Sequence, residues 1–350
     1  MAKLTKDQIA ELNKIAKSIV DGGRGLLAAD ESNGTCGKRF ADIGVENTEE
    51  NRRQYREFLF TTPDFEKYCG GVILFEETLY QKTADGVPFA KLLASKNVVP
   101  GIKVDTGPVE LAGAEDEKVT EGLDGLRERF ADYHKAGARF AKWRSVIEID
   151  STTRPTDLAI EANAEATARY AALAQEAGIV PIVEPEILMD GDHSLEVCEK
   201  ASHRVLKVFF EKLKLHNVAL EGILLKPNMV ISGKKCATQA TSAEIAKASV
   251  ACYQKQVPAE VPGIVFLSGG QGEVEATENL NAINNVKGDK PWVLTFSYGR
   301  ALQQGALRAW MGKTSNKAAM QSVFAHRAHM NWLAANGNYS AETEAKTVAA

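Results

Sequence analysis

The sequence lacks long stretches of one chemical character. No apolar run approaches the roughly 18 residues that a membrane-spanning helix requires. No long run of charge of one sign is present either, and 42 Lys and Arg against 46 Asp and Glu give a formal net charge of -4. A surface for nucleic acid or for anionic lipid normally needs a basic excess. We therefore expect neither a nucleic-acid partner nor a membrane partner.

Cysteine is scarce, and its spacing fits no framework. The five cysteines are an odd number, and no two form a CxxC pair. This pattern argues against a disulfide scaffold and against a zinc knuckle, and it indicates free thiols in a reducing compartment. The cysteines are Cys36, Cys69, Cys198, Cys236 and Cys252.

Motifs for nucleotides, metals and hydrolytic nucleophiles are also missing. Neither GxxxxGK[ST] nor GxGxxG follows an apolar run, and there is no nucleophile elbow. None of the six histidines lies at a predicted strand end. His326 and His329 have a helical i, i+3 spacing, but without a carboxylate cluster nearby we expect them to be surface or packing residues. The sequence therefore predicts no metal and no cofactor.

What is present is a repeated alternation of short apolar runs and helical patterns. The chain has 350 residues, of which 44% are hydrophobic and 25% charged, as in an ordinary globular protein. Eight strand-then-helix units predict an α/β fold, a (β/α)8 TIM barrel, with a doubly wound open sheet as the alternative. The predicted strands cover residues 24–30, 70–77, 99–105, 138–146, 179–187, 220–228, 263–270 and 293–300.

Helical periodicity lies between these runs and at the start of the chain. The first twenty residues predict an amphipathic helix. Asn47 with Glu50, and Thr241 with Glu244, have the spacing of capping boxes. Further helices are predicted over residues 49–60, 123–136, 158–177, 195–215 and 244–256. We expect one barrel domain over residues 1–335, including the N-terminal helix, and a flexible C-terminal tail over 336–350.

Charged residues interrupt several of the predicted strands near their C-terminal ends. Residues two apart project from the same face of a strand, and burying a charge against the helix layer would cost several kcal/mol, so these side chains should face the barrel mouth. Active sites of TIM barrels lie at that mouth. The charged residues concerned are Asp30, Lys103, Asp105, Lys142, Arg144, Glu184, Glu186 and Lys226.

Two short motifs follow predicted strands 7 and 8, where TIM barrels often bind phosphate. Ser268, Gly269 and Gly270 end strand 7, and glycines let backbone N–H groups approach an anion. Ser297, Gly299 and Arg300 end strand 8, and an arginine can donate two hydrogen bonds to a phosphate. Their position indicates a phosphate site.

Lysine chemistry remains as the best mechanistic interpretation. A lysine amine is nucleophilic only when neutral, a form that burial or a neighbouring cation favours. Lys226 has the most apolar sequence context, and Lys142 could be its cationic neighbour. We expect Lys226 to form a Schiff base that permits retro-aldol cleavage, although Lys142 or Lys103 could carry the bond instead. Glu184 and Asp30 are placed to act as acid and base.

These segments resemble the class I, Schiff-base fructose-1,6-bisphosphate aldolases. LLAADES, ENTEENRR, GGVILFEETLYQK, GIKVD, FAKWR, IVPIVEPEI, EGILLKPNMV, FLSGGQ and LTFSYGRALQ match the family in order between about residues 20 and 340. The resemblance implies reversible cleavage of fructose 1,6-bisphosphate to dihydroxyacetone phosphate and glyceraldehyde 3-phosphate. It also implies sugar phosphates as small-molecule partners, no cofactor and a homotetramer.

The resemblance also assigns roles to individual residues. Lys226 would be the Schiff-base lysine, Glu184 the acid/base for imine formation and Asp30 the base in carbon–carbon cleavage. Lys142 would position the substrate, with Glu186 in its charge network. One phosphate would be held by Ser268, Gly269, Gly270, Ser297, Gly299 and Arg300, and the other end of the site would be lined by Ser32, Thr35, Arg39, Lys103 and Arg144.

Two features depart from the animal branch of the family. Family members often end in a tyrosine that assists proton exchange, whereas this chain ends in Ala350, and Tyr339 is a doubtful substitute. The segment ESNGTCGKR resembles the plant and algal plastid branch, which suggests the chloroplast stroma and the Calvin cycle, including sedoheptulose 1,7-bisphosphate, with cytoplasmic glycolysis as the alternative. Cys36 in that segment could be redox-sensitive, but we expect an inert thiol.

Three other functions remain open from the sequence. A transaldolase-like Schiff-base enzyme is disfavoured because anion-binding residues are expected at both ends of the site, with Arg39 and Lys103 opposite Arg300. A non-catalytic scaffold would not need this concentration of charge in one cavity. A metal-dependent aldolase would lose activity on chelation.

Overall fold

The computed structural model describes residues 4–345. Eight parallel strands form a closed barrel in the order β1-β10-β9-β8-β7-β6-β3-β2, and β4 and β5 form a separate antiparallel hairpin. Pairing of Leu26 in β1 with Ser297 in β10 closes the barrel, so the TIM-barrel prediction is confirmed and the open sheet is excluded. The strands are β1 Gly25–Ala29, β2 Cys69–Leu74, β3 Val99–Lys103, β4 Gly107–Glu110, β5 Lys118–Glu121, β6 Phe140–Ile147, β7 Val180–Ile187, β8 Leu224–Leu225, β9 Gly263–Phe266 and β10 Val293–Tyr298.

Helices surround the barrel, and side chains cap several of them. Thr241 and Glu244 form the predicted capping box. At the helix predicted from residue 49 the cap is Thr48, whose hydroxyl accepts from Asn51 N at 3.1 Å, because the amide of Asn47 is engaged with Arg52 and Asn33. The helices are α1 Lys6–Val20, α2 Asn33–Ala41, α3 Glu49–Phe60, α4 Glu76–Tyr80, α5 Phe89–Ser95, α6 Leu126–Lys135, α7 Asp157–Glu176, α8 Leu195–Leu215, α9 Ser242–Gln256, α10 Glu273–Asn285, α11 Arg300–Trp310, α12 Lys317–Ala335 and α13 Ala341–Ala345.

The N-terminal helix α1 closes the end of the barrel opposite to the charged mouth. Its apolar face, with Leu12, Ala16 and Ile19 fully buried, joins a core cluster inside the barrel. That cluster includes Leu26 of β1 and Val265 of β9, and it is separate from the larger core between the strands and the outer helices. The predicted amphipathic helix is therefore present, and its apolar face fills the end of the barrel opposite to the charged mouth.

Two strand predictions differ from the structure. The apolar run over residues 220–228 contains only a two-residue strand, β8, because a 3-10 turn precedes it and Pro227 has no N–H to donate. Lys226 still donates its backbone N–H to Val183 O at 2.7 Å, so the lysine is anchored to β7 at the point where regular pairing ends. The β4–β5 hairpin is absent from the prediction because its sequence lacks an apolar pattern, and β4 is mostly exposed.

The chain packs against the barrel over residues 336–345, within the stretch 336–350 for which the sequence predicts a flexible tail. Tyr339 is buried, and its backbone N–H donates to Asn281 Oδ1 at 3.1 Å. Glu344 of α13 forms an ion pair with Arg327 of α12, and its Oε1 lies 3.2 Å from His326 Nε2. These contacts hold the segment against α12, whereas residues 346–350 lie outside the described part of the chain.

Candidate active site

The C-terminal ends of the barrel strands open into a cavity of about 820 Å³. In addition to the predicted set, the cavity is lined by charged residues that the sequence analysis did not assign to the site, among them Glu31, Asp190 and Lys234. All sixteen predicted site residues line it, namely Asp30, Ser32, Thr35, Arg39, Lys103, Lys142, Arg144, Glu184, Glu186, Lys226, Ser268, Gly269, Gly270, Ser297, Gly299 and Arg300. The alternation of side chains along each strand therefore directs the predicted charges to one place.

Four charged groups form a connected chain at the bottom of this cavity. Lys142 Nζ lies 2.9 Å from Asp30 Oδ2 and 3.2 Å from Glu184 Oε2. The other carboxylate oxygen of Glu184, Oε1, lies 3.0 Å from Lys226 Nζ. Lys142, Glu184 and Lys226 are buried, and the side chain of Asp30 is only 13% exposed. The order Asp30, Lys142, Glu184, Lys226 alternates negative and positive charge, which compensates for the loss of solvent.

The alternating charges shift the pKa values of Asp30, Glu184 and Lys142. Burial alone would raise the pKa of Asp30 and of Glu184, but Lys142 and Lys226 outweigh it and hold both pKa values below their ordinary range. Burial would lower the pKa of Lys142, but the carboxylates of Asp30 and Glu184 raise it above its ordinary value. Near neutral pH, Lys142 is therefore an ammonium group between two carboxylates.

A second set of ion pairs surrounds the first. Arg144 pairs with Glu186, and Lys103 Nζ lies 2.7 Å from Asp105 Oδ1. Asp105 also accepts a hydrogen bond from the backbone N–H of Arg144 at 3.3 Å, so its carboxylate joins β3 to β6. Burial alone would lower the pKa of Arg144, but Glu186 outweighs it and raises that pKa. These pairs place two cations on the β3–β6 side of the mouth.

The loops after β9 and β10 have the backbone conformation of an anion site. Gly269 and Gly270 have φ of +55° and +85°, a region that favours glycine. A side-chain carbon built at Gly270 would lie 3.0 Å from Arg300 Nη2. The hydroxyl of Ser297 is buried and has no hydrogen-bond partner among the described residues. Donors from both loops therefore converge on a space that no side chain of this segment fills.

The segment after β1 adds hydroxyl groups and a third arginine. Ser32 caps α2 by accepting from Thr35 N at 3.3 Å, and the two hydroxyl oxygens lie 3.1 Å apart. Arg39 forms an ion pair with Glu31. Its Nη2 lies 3.9 Å from the position of a side-chain carbon on Gly299. Arg39 is thus on the Gly299 side of the cavity, so the expectation that it lies opposite Arg300 is wrong: its long side chain turns back toward β10.

The structure adds Glu31 to the residues that line the cavity. Its carboxylate contacts the guanidinium groups of Arg39 and of the fully buried Arg56, and it accepts from Gln303 Nε2 at 3.0 Å. The sequence signal for Glu31 is its position directly after Asp30, but the alternation rule assigns neighbouring residues to opposite faces. Because Glu31 lies beyond the end of β1, the rule does not apply to it.

Histidines and cysteines contribute no metal site. Within residues 4–345 no group of three or more His, Cys, Asp or Glu side chains is arranged to hold a metal ion. His326 contacts Glu344, and His329 stacks on Tyr68 with ring centroids 4.8 Å apart. Cys36 is buried, and burial raises the pKa of its thiol to about 11. In the same described range no helix is long and apolar enough to cross a bilayer.

Comparison with known proteins points to one family. The model of the glycolytic class I fructose-bisphosphate aldolases matches residues 11–350. Fructose-bisphosphate aldolase C of Carassius auratus is 56% identical over 337 residues, 96% of this chain and 93% of that protein. The cytosolic fructose-bisphosphate aldolase 4 of Arabidopsis thaliana is 56% identical over 322 residues, 92% of this chain and 82% of its own length. A crystal structure of the Plasmodium falciparum aldolase, in complex with TRAP and an inhibitor, superposes with a TM-score of 0.95 at 50% identity, covering 97% of this chain and 98% of that one.

Proposed function

The chain belongs to the class I fructose-bisphosphate aldolase family, and we propose that Lys226, Glu184, Asp30 and Lys142 carry out its chemistry. Enzymes of this family are lyases of glycolysis that reversibly cleave fructose 1,6-bisphosphate into two triose phosphates through a lysine Schiff base. Membership of the family establishes the reaction, and we propose the role of each side chain from its contacts in the site.

The observation that carries the proposal is the contact between Lys226 Nζ and Glu184 Oε1 at 3.0 Å. A carboxylate beside the amine can accept the ammonium proton and later return it to the carbinolamine hydroxyl, which then leaves as water. Lys142 contacts Glu184 but also Asp30, and two carboxylates stabilise its charged form. Lys226 is therefore the better candidate for the nucleophile, and Lys142 is the cation that positions the carboxylates.

The steps of cleavage then follow the order of the four groups. Neutral Lys226 attacks the ketose carbonyl carbon, and loss of water leaves a protonated imine. Asp30 accepts the proton of the substrate hydroxyl, the carbon–carbon bond breaks, and its electron pair moves into the imine to give an enamine. Protonation and hydrolysis of that enamine release the second triose phosphate and restore the amine.

Substrate phosphates are proposed to occupy opposite sides of the mouth. Gly269, Gly270, Ser297 and Arg300 would bind one phosphate through backbone and side-chain donors. Lys103 and Arg144 are the cations of the other side. With Arg39 on the Gly299 side, Lys103 and Arg144 are the cations that remain from the set predicted for this end of the site.

Quaternary structure and compartment complete the proposal. A homotetramer is expected from the family resemblance, and sedimentation velocity would measure it. We propose the cytoplasm as the compartment, which the similarity to a plant aldolase named cytosolic supports. The chloroplast stroma and the Calvin cycle have no support among the relatives named above.

Borohydride trapping tests the assignment. The protein is reduced in the presence of dihydroxyacetone phosphate and a chelator, and its peptides are mapped by mass spectrometry. We expect a substrate-derived adduct on Lys226. An adduct on Lys142 or Lys103 would keep the reaction and overturn the assigned roles, and the absence of any adduct would contradict the Schiff base itself.

A further inference from the structure

A lysine outside the predicted site reaches the same space as Arg300. Lys234 lies in the loop after β8 and lines the active-site cavity. A side-chain carbon built at Gly270 would lie 2.5 Å from Lys234 Nζ and 3.0 Å from Arg300 Nη2. Two cationic groups therefore flank Gly270, and a side chain at that glycine would displace the lysine.

The backbone beneath Lys234 is held in place while its side chain is free to move. Lys234 donates its N–H to Met189 O at 2.8 Å, and Lys235 donates to Gly191 O at 2.9 Å, so the loops after β7 and β8 pair with each other. The side chain of Lys234 is 46% exposed, and its Nζ lies 2.8 Å from Asp190 Oδ1. The side chain of Asp190 is 70% exposed. A half-exposed ion pair of this kind is weak, so the lysine can exchange partners at small cost.

The charges of Lys234 and Arg300 both act on the carboxylate of Asp190, in agreement with the distances around Gly270. The hydrogen bond from Lys234 is the largest influence that lowers the pKa of Asp190, and the charge of Arg300 also lowers it. The carboxylate thus lies within the electrostatic reach of the arginine assigned to phosphate. A sugar phosphate carries close to two negative charges near pH 7, so in this field it competes with Asp190 for the lysine.

We infer that Lys234 is a substrate-binding residue, which leaves Asp190 and binds the substrate phosphate that Gly270 and Arg300 also hold. The inference rests on the proposed function, because it adds a second cation to the phosphate site described there. Without substrate, Lys234 pairs with Asp190. In the substrate complex, the phosphate replaces Asp190 as the partner of the lysine. The two members of this ion pair therefore have opposite effects on substrate binding.

The test compares Lys234→Gln and Asp190→Asn in steady-state cleavage of fructose 1,6-bisphosphate. We expect Lys234→Gln to raise KM about five- to tenfold with kcat changed less than about twofold, the size of one partly exposed charge-assisted contact. Lys234→Arg should restore most of the affinity. Asp190→Asn should lower KM, and this decrease should be smaller when Lys234→Gln is also present.

A neighbouring lysine supplies the matched control. Lys235 is exposed and has the same charge but does not line the cavity, so Lys235→Gln should leave KM unchanged. An unchanged KM in Lys234→Gln, or a KM that rises in both Lys234→Gln and Asp190→Asn, would overturn the inference, because a purely structural ion pair shifts both variants in the same direction. Arg300→Gln in the same assay separates the two proposals. If it raises KM and Lys234→Gln does not, only the role of Lys234 is wrong; if neither raises KM, the proposed phosphate site is wrong.

Discussion

The carboxylate of Asp30 and the ammonium group of Lys142 meet 2.9 Å apart, although the strands that carry them are not neighbours in the barrel. Asp30 follows β1, and Lys142 lies on β6, with β2 and β3 between them. The contact spans the mouth, and it links the proposed cleavage base to the pair that forms the imine. Lys142 contacts both carboxylates. The groups of this chain are expected to act in different steps of the reaction, so variants of each can be distinguished by the step that is slowed.

Replacement of Glu184 by Gln should slow imine formation. The amide keeps the size of the side chain but cannot accept a proton from Lys226, so we expect the rate of borohydride-trapped adduct formation to fall about 10²- to 10⁴-fold. Rapid-quench trapping with dihydroxyacetone phosphate measures this rate directly. Glu186→Gln is the matched control. Glu186 lies two residues beyond Glu184 on β7 and pairs with Arg144, so its replacement should have a much smaller effect. Equal effects of the two variants would contradict the role of Glu184.

Asp30→Asn should separate cleavage from imine formation. The variant retains Lys226 and Glu184 at 3.0 Å, so the adduct should still form. Removal of the base should lower kcat for cleavage of fructose 1,6-bisphosphate about 10²- to 10⁴-fold. Single-turnover cleavage and adduct mapping on one preparation provide the two readouts. Loss of the adduct together with cleavage would place Asp30 in the earlier step.

Stability should decrease in acid because of the same carboxylates. Their pKa values are lowered in the folded protein, so the unfolded chain binds protons first as pH falls. The contribution is therefore complete above about pH 5 and is lost as pH falls through the ordinary carboxyl values of about 4 and below. Urea unfolding at a series of pH values measures it.

Lys142→Met should weaken the acid dependence of stability that Asp30 contributes. Without this cation the pKa of Asp30 rises, because only Lys226 and Lys103 then oppose the effect of burial, so less stability is lost as pH falls through the carboxyl range. We expect a loss of about 3–5 kcal/mol at neutral pH, as for other buried charges left without a partner. The difference in stability from the parent protein should narrow as pH falls below about 5, where the parent protein loses the contribution of Asp30. A variant that keeps the acid response of the parent protein would show that Lys142 does not hold the carboxylates.

The thiol of Cys36 should be unreactive in the folded enzyme. Burial raises its pKa to about 11, so only about one molecule in a thousand carries the thiolate at pH 8. Iodoacetamide labelling followed by mass mapping should modify the partly exposed Cys236 first and Cys36 only in denaturant. Rapid native labelling of Cys36 with loss of activity would support the redox-sensitive alternative instead.

The sequence predicted the direction of the charged strand residues better than the direction of side chains in the loops and helices. Lys142 and Arg144, or Glu184 and Glu186, are two residues apart on strands whose other positions are apolar, so their common direction follows from strand geometry. Arg39 and Lys234 lie outside the strands, where no periodicity fixes direction and a long side chain can turn either way. The fold shows the same contrast. The closed barrel was predictable from eight apolar runs, whereas the shortness of β8 depends on local backbone donors around Pro227.

Helix α1 has a kinetic consequence. Its buried apolar face fills one end of the barrel, and the active-site cavity opens at the opposite end. The hexose and both of its fragments would then share that mouth. While one fragment is covalently attached to the lysine, the other must depart before the next carbonyl compound can arrive, so the covalent bond at the base of this mouth orders the release of products.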